Sequence, residues 1–209
     1  KIAYEKILKH FETSNRTCVI HPTGSGKSFL SMKFLYDNRD KRLLFMCPTD
    51  AIVDQLIRHL LNEGLTLSDF ANIDFCLYPS AGKIKDKQYD CIVFDEFHRV
   101  GAEEWGKNVN ELLNNNPNAK VLGVSATPIR YLDDGRDMSK EIFNGDIASE
   151  ITLAEAIVKK ILPTPNYISS VISFQSDIDI IQKQIDNYKN KEEAKEYQIL
   201  LEKCRYDSH

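Results

Sequence analysis

The stretch VIHPTGSGKS, Val19–Ser28, decides the fold. An apolar run enters a turn carrying two glycines, and the turn feeds directly into FLSMKFL, a helix-forming segment. Strand, loop and helix in that order are the setting of a phosphate loop. Gly24 and Gly26 allow main-chain N–H groups to turn inward, and the helix start adds the positive end of its dipole. Lys27 is then placed to reach the β- and γ-phosphates, and the Ser28 hydroxyl to sit on Mg²⁺. The strict pattern opens with glycine where this chain has His21, although the GSGKS core is intact. A plain glycine turn with an exposed lysine is the bland alternative, and the strand and helix flanks weigh against it.

Outward from the loop, short apolar runs recur: Thr17–His21, Leu43–Cys47, Phe75–Tyr78, Cys91–Asp95 and Val121–Ser125. Each is rich in β-branched or aromatic residues and bounded by polar or turn residues, as buried parallel strands are. Amphipathic segments lie between them, such as AIVDQLIRHLLNEG with Ile52, Leu56 and Leu60 on one face and Gly64 as its stop. This alternation predicts βαβ units: an α/β fold with a mostly parallel central sheet and helices on both faces. After Pro128 the chain turns polar, predicting a surface loop with a short helix. TLAEAIVKKIL then reads as a helix with Thr152 and Glu155 as a capping box, ended by Pro163 and Pro165. Asn166–Phe174 is a candidate strand. Beyond Ser176, the spacing of Ile178, Ile181, Ile185 and Tyr188, and then of Ala194, Tyr197, Leu201 and Cys204, predicts a C-terminal helical arm or a docked amphipathic helix. The expected division is residues 1–170 and 171–209.

CIVFDEFH ends an apolar strand in two adjacent acids, at the strand edge where open α/β sheets bind ligands. Asp95 suits the acid that completes Mg²⁺ coordination opposite Ser28. Glu96 suits a general base that polarises the attacking water. The alternative, a carboxylate capping the next helix, weakens once the acids are paired with the loop. Ser125, Ala126, Thr127 and Pro128 follow another strand, where the hydroxyls can bond His98. Alone, that is an ordinary strand-to-loop turn.

In order, PTGSGKS (22–28), CPT (47–49), DEFH (95–98) and SAT (125–127) resemble motifs I, Ia, II and III of superfamily 2 helicases. The likeness is to the DEAD/DEAH-box group that includes type III restriction-enzyme-like motors, and it covers about Ile2–Tyr167. The resemblance implies a P-loop NTPase domain of RecA-like fold, one of two that clamp ATP between them. It implies that Pro22, Thr23, Gly24, Ser25, Gly26, Lys27 and Ser28 hold the phosphates, Ser28 and Asp95 the Mg²⁺, and Glu96 the water. His98, Ser125, Ala126 and Thr127 would couple hydrolysis to movement, and Pro48 and Thr49 would touch a nucleic-acid backbone, with DNA placed ahead of RNA. Tyr78–Ser80 falls where relatives carry another backbone-contacting motif. Phe97 departs from the commoner DEAH and is expected to pack inward. The adenine-reading glutamine would lie at or just before Lys1, and nothing in 129–209 resembles the arginine-bearing motif of the second RecA-like domain. With Lys1 rather than Met at the start, the expectation is a piece of a longer protein that binds Mg-ATP yet hydrolyses it poorly alone.

Bulk properties agree with this reading. Of 209 residues 42% are hydrophobic and 28% charged, enough apolar surface for a core. A net charge of -4 argues against a strongly basic nucleic-acid binder and leaves room for local backbone contacts. Five scattered cysteines without a C-x-x-C pair suggest a reduced, cytoplasmic setting. No run approaches the ~18 apolar residues of a membrane span. A P-loop phosphotransferase would share GSGKS but would not need DEFH and SAT at successive strand ends. A nucleotide-dependent, non-catalytic scaffold would not need Lys27, Asp95 and Glu96 together.

Overall fold

The computed structural model describes residues 2–131, 135–165, 179–183, 185 and 199. The chain divides into two units, Lys1–Thr164 and Pro165–His209, and the first carries every motif. The candidate strand Asn166–Phe174 lies outside the described residues, as does most of the expected helical arm.

In chain order the first unit runs α1 (Ile2–His10), β1 (Arg16–Ile20), α2 (Lys27–Asp37), β2 (Arg42–Cys47), α3 (Asp50–Asn62), β3 (Asn72–Leu77), β4 (Cys91–Asp95) and α4 (Glu103–Asn115). It continues with β5 (Lys120–Ser125), β6 (Ile129–Arg130), β7 (Arg136–Asp137), α5 (Met138–Phe143), β8 (Ile147–Glu150) and α6 (Leu153–Val158). Six strands form one sheet in the order β3-β2-β4-β5-β1-β8, and each of its ladders is parallel. β6 and β7 make a separate antiparallel ribbon. β4, β5 and β1 are adjacent parallel strands, so their C-terminal ends come together at one rim, where such sheets bind ligands.

The pleat divides the apolar runs between two cores. Cys18, Ile20, Leu44, Met46, Ile92, Phe94 and Val121 face one side, where α4 supplies Val109, Leu112 and Leu113 and α5 supplies Ile142 and Phe143. Their neighbours Val19, Leu43, Phe45, Cys91, Val93, Leu122 and Val124 face the other, under Ile7 of α1, Leu35 of α2 and Leu56 and Leu60 of α3. Burial on both faces is why these strands read as unbroken apolar runs. At roughly 25 cal/mol per Å² of apolar surface, such double burial is the main stabilising term. Gly64, at φ 75°, ends α3, and the Leu65 N–H returns to the Leu60 carbonyl at 2.9 Å.

Two readings after Pro128 change. The polar stretch contains the ribbon β6–β7 and is followed by β8, a strand with no apolar run. The helix from Thr152 starts with the expected capping box, Thr152 Oγ1 accepting from Glu155 N–H at 3.2 Å, but stops at Val158. Lys160 takes φ 55° there, and the Ile161 N–H closes on the Ala156 carbonyl at 2.9 Å. Among the described residues no helix is long and apolar enough to cross a membrane.

Candidate nucleotide site

The loop from His21 to Gly26 joins β1 to α2 across the sheet's C-terminal rim. Gly24 (φ 81°) and Gly26 (φ 90°) both hold the left-handed conformation that side chains resist. A Cβ on Gly26 would meet nothing within 4 Å, so the loop encloses open space at the N-terminus of α2. A cavity of about 350 Å³ opens there, lined by Lys27 and Ser28 from α2 and by Asp95 and Glu96 from the end of β4. Thr23 and Gly24 complete the loop side. Pro22 and Ser25 shape the turn through a Ser25 N–H to Pro22 carbonyl bond of 3.2 Å. The Ser25 hydroxyl is buried with no partner among the described residues.

Asp95 is 7% exposed, and its pKa is raised to about 6: burial is the largest cause, the Glu96 carboxylate adds to it, and Lys27 opposes both. Glu96 is held the other way. Burial works against its charged form, but the His98 hydrogen bond, Lys27 and Ser125 together hold its pKa below the usual carboxylate value. Glu96 also has φ 51°, a left-handed backbone that a non-glycine residue keeps only when neighbours fix it.

Those neighbours form a network at the ends of β4 and β5. His98 Nδ1 lies 2.8 Å from Ser125 Oγ and 3.3 Å from Glu96 Oε2. Ser125 Oγ is 2.7 Å from the Thr127 carbonyl and 3.3 Å from Glu96 Oε2. The one hydroxyl proton of Ser125 faces two acceptors, Thr127 O and Glu96 Oε2, and is shared between them. Ser125 therefore accepts from His98, which fixes Nδ1 as the N–H-bearing nitrogen. Thr127 Oγ1 accepts the Ile129 N–H at 3.1 Å, and Ala126 between them is exposed. Phe97 points the opposite way, fully buried and edge-on to Phe143 at 5.1 Å, so it leaves Glu96 and His98 at the rim.

Pro48 and Thr49 follow β2 at the same rim but do not line the cavity; Thr49 is exposed at the start of α3. The α3 residues that do line it are Ile52, Gln55 and His59, which sequence reasoning missed. Their 3-4 spacing on one helix face was the available signal. Three further residues matter that the motifs did not single out for these roles. His21 is 3% exposed and its Nε2 lies 2.9 Å from Ser149 Oγ of β8. Burial first, then Lys27, Lys6 and Lys159, push its pKa down to about 4. Tyr78 is fully buried and its hydroxyl donates to the Asp95 main-chain carbonyl at 2.7 Å. Leu162 covers the loop: its Cδ2 lies 3.3 Å from where a Gly24 Cβ would stand.

A second cavity of about 610 Å³ adjoins the loop on its β8 side, between Ile2, Lys6, His21, Phe29 and Ile161. A larger hollow of about 770 Å³ lies at the opposite end of the strands, beside the Arg42–Asp90 ion pair, and contains none of the motif residues.

Known proteins match this architecture. Two curated relatives come from Sulfolobus islandicus filamentous virus (isolate Iceland/Hveragerdi). "Putative helicase 22" is 25% identical over 208 residues, covering 86% of this chain and 36% of the relative. "Putative helicase 7" is 27% identical over 152 residues, covering 59% and 25%. The chain thus spans about a third of the first relative and a quarter of the second. Among solved structures, a nuclease-deletion mutant of the Type ISP restriction-modification enzyme LlaGI, in complex with a DNA substrate mimic, superposes with a TM-score of 0.59 at 21% identity, covering 90% of this chain and 22% of that one. The Pyrococcus furiosus Hef helicase domain gives 0.56 at 15% identity, covering 87% and 44%. These likenesses establish the RecA-like helicase-domain fold. Residues 1–130 match the family described as "Type III restriction enzyme, res subunit", and with more than half of its length inside that match the chain belongs to the ResIII family.

Proposed function

We propose that this chain is the ATP-binding half of a nucleic-acid-dependent ATPase motor, of helicase or translocase type. One observation carries the proposal: Lys27, Ser28, Asp95 and Glu96, from two separate elements, line a single cavity at the sheet's ligand-binding rim. The residues fit Mg-ATP. Left-handed glycines leave the loop open, a buried lysine and a helix N-terminus face in, and an acid pair stands opposite Ser28. Bound Mg²⁺ would supply charge neutralisation of the phosphates, held by Ser28 and Asp95.

The chain's own residues do the rest. Loop N–H groups between Thr23 and Ser28 orient the phosphates, and Lys27 binds them as a point charge. Glu96, ionised at neutral pH and aimed by His98 and Ser125, accepts the proton of the attacking water. Because Ser125 also bonds Thr127, any movement of Glu96 reaches the 125–127 turn, the route by which hydrolysis would move the strand-contacting surface. The nucleoside fits the second cavity, whose walls include the exposed ring of Phe29. Pro48 and Thr49 are the proposed backbone contacts, with phosphates rather than bases recognised. The LlaGI relative was solved with a DNA substrate mimic, which supports DNA as the partner. A second RecA-like domain would bring the arginine that closes the site, worth about 10³–10⁵ in rate in better-studied P-loop enzymes. The proposed division is a motor domain over 1–170 and an extension over 171–209 leading toward that second domain. Four described cysteines are free thiols, which supports a cytoplasmic setting.

The test is Glu96→Gln in the full-length protein. The variant keeps nucleotide affinity and loses about 10²–10⁴ in nucleic-acid-stimulated turnover. Unaltered hydrolysis in that variant would rule out Glu96 as the general base.

A further inference from the structure

The Tyr78 hydroxyl donates to the Asp95 carbonyl from an unusual position. Tyr78 directly follows β3, the edge strand, whereas Asp95 ends β4, two strands away in the order β3-β2-β4. At about 4.8 Å per strand that gap is close to 10 Å, so a long side chain with a polar tip is needed to bridge it. The β2–β4 ladder ends at Met46↔Phe94, and Pro48, just past β2, has no N–H with which to extend it. A tyrosine side chain stands where a ladder bond would otherwise lie.

The bond falls on the peptide that leads into Glu96. That residue occupies a left-handed conformation its own side chain does not favour, so its aim depends on what holds the preceding carbonyl. The Tyr78 ring is locked in the core beside Phe94, with centroids 6.3 Å apart. Pro79, by contrast, is exposed and Ser80 half-buried on a short 3-10 turn, Tyr78–Lys83. β2 and β3 are paired up to Cys47↔Leu77, so this turn and Pro48–Thr49 emerge side by side at the rim. A load on that rim therefore bears on the residue that fixes the Asp95–Glu96 peptide.

We propose that Tyr78 is a positioning residue that couples nucleic-acid backbone seated on the rim of Pro48, Thr49 and the Tyr78–Lys83 turn to the aim of Glu96. The inference rests on the motor function proposed above, and the experiment separates the two. Full-length wild-type and Tyr78→Phe proteins are compared for steady-state ATP hydrolysis with saturating single-stranded and duplex DNA. Nucleotide-binding stoichiometry is measured on the same samples, so that kcat is counted per competent site. The phenylalanine keeps the buried ring and removes only the bond. The expected result is a fall in DNA-stimulated kcat of about tenfold or more, with KM for ATP and the Kd for DNA within about twofold, the split that misalignment of a reacting group produces. A smaller fall in kcat per competent site, a loss carried by KM or Kd, or a variant that no longer binds nucleotide at all would make the hydroxyl merely structural and overturn the inference. A wild-type protein without DNA-stimulated hydrolysis would instead remove the motor function itself.

Discussion

Gly123 sits in the middle of β5, with Cys18 of β1 and Phe94 of β4 as its register partners, so its backbone is pinned on both sides. A Cβ added there would lie 2.3 Å and 2.7 Å from two Phe143 ring atoms and 2.9 Å from Cδ1 of Phe97. All three are closer than carbon atoms approach one another. Both rings are buried and packed edge-to-face, so neither can swing into solvent. Gly123→Ala must therefore push two rings off their positions, an overpacking that costs about 1–3 kcal/mol. The smaller unfolded-state entropy of alanine returns about 0.4–1 kcal/mol. The net expectation is a loss of roughly 1–2 kcal/mol, which for a chain of this size lowers Tm by about 2–8 °C. Trp105, the single tryptophan, is packed against the same core and reports unfolding by fluorescence. Phe143→Leu deletes the two nearest clashing atoms, so the double variant should be more stable than the sum of the singles by about 1 kcal/mol or more. The site feels the same change, because Phe97 lies between Glu96 and His98 and its displacement disturbs their contact with Ser125. A Gly123→Ala protein with an unchanged or raised Tm would show that Phe97 and Phe143 do not pack on β5 as described, and the account of why DEFH accepts a phenylalanine would fall with it.

Two further outcomes are expected. Lys27→Ala removes the only lysine or arginine lining the phosphate cavity among the described residues, so the Kd for Mg-ATP, measured by equilibrium dialysis, should rise at least about tenfold; an unchanged Kd would place the phosphates elsewhere. His21, facing Lys6 of α1, Lys27 of α2 and Lys159 after α6, has a folded pKa of about 4 against an ordinary value near 6.5. The neutral ring is the one the fold accepts, so its contribution is complete above about pH 6.5 and is lost as pH falls from there through about 4, up to roughly 3 kcal/mol in all. Urea titrations of wild type and His21→Gln at pH 7 and pH 4.5 should show a flatter pH dependence in the variant, and parallel curves would refute the assignment.

What the sequence disclosed followed from how each residue is buried. β4 was legible to the residue, because a strand covered on both faces must be apolar throughout and only its tip can carry Asp95. Gly64 and the Thr152–Glu155 pair marked a helix end and a helix start through backbone chemistry that survives any tertiary context. β8 was not legible. Its residues, Ile147–Glu150, carry no pattern; they are a strand because β1 offers a free edge, and the register shifts at Cys18/Val19 to accommodate them. The early end of α6 was hidden for a related reason. Lysine, not glycine, takes the left-handed position at Lys160, and the following Leu162 is seated on Gly24 of the phosphate loop. The proline that announced a later stop never had to act.

At the site, the motif residues were legible as types but not as a charge balance, and that balance constrains the chemistry. The phosphate cavity holds two carboxylates against a single lysine among the described residues. Burial and Glu96 already raise the Asp95 pKa, with Lys27 too weak to reverse it. A triphosphate entering alone would add several negative charges to a partly desolvated pocket that is acidic before it arrives. At an effective dielectric near 20, each unscreened like-charge pair at 4 Å costs on the order of 4 kcal/mol. The helix dipole contributes only about half a charge in return. On the proposed function, Ser28 and Asp95 would hold a divalent cation whose charge would offset the acid and the phosphates, and Glu96, tied to His98 and Ser125, would remain the carboxylate free to take a proton. On the same proposal Lys27 would serve the phosphates from the loop, and as the single lysine or arginine lining the cavity among the described residues it would leave further positive charge for the γ-phosphate to a second domain. Weak nucleotide binding without metal and slow turnover without that partner are thus the outcomes the proposed function leads one to expect from the same arithmetic.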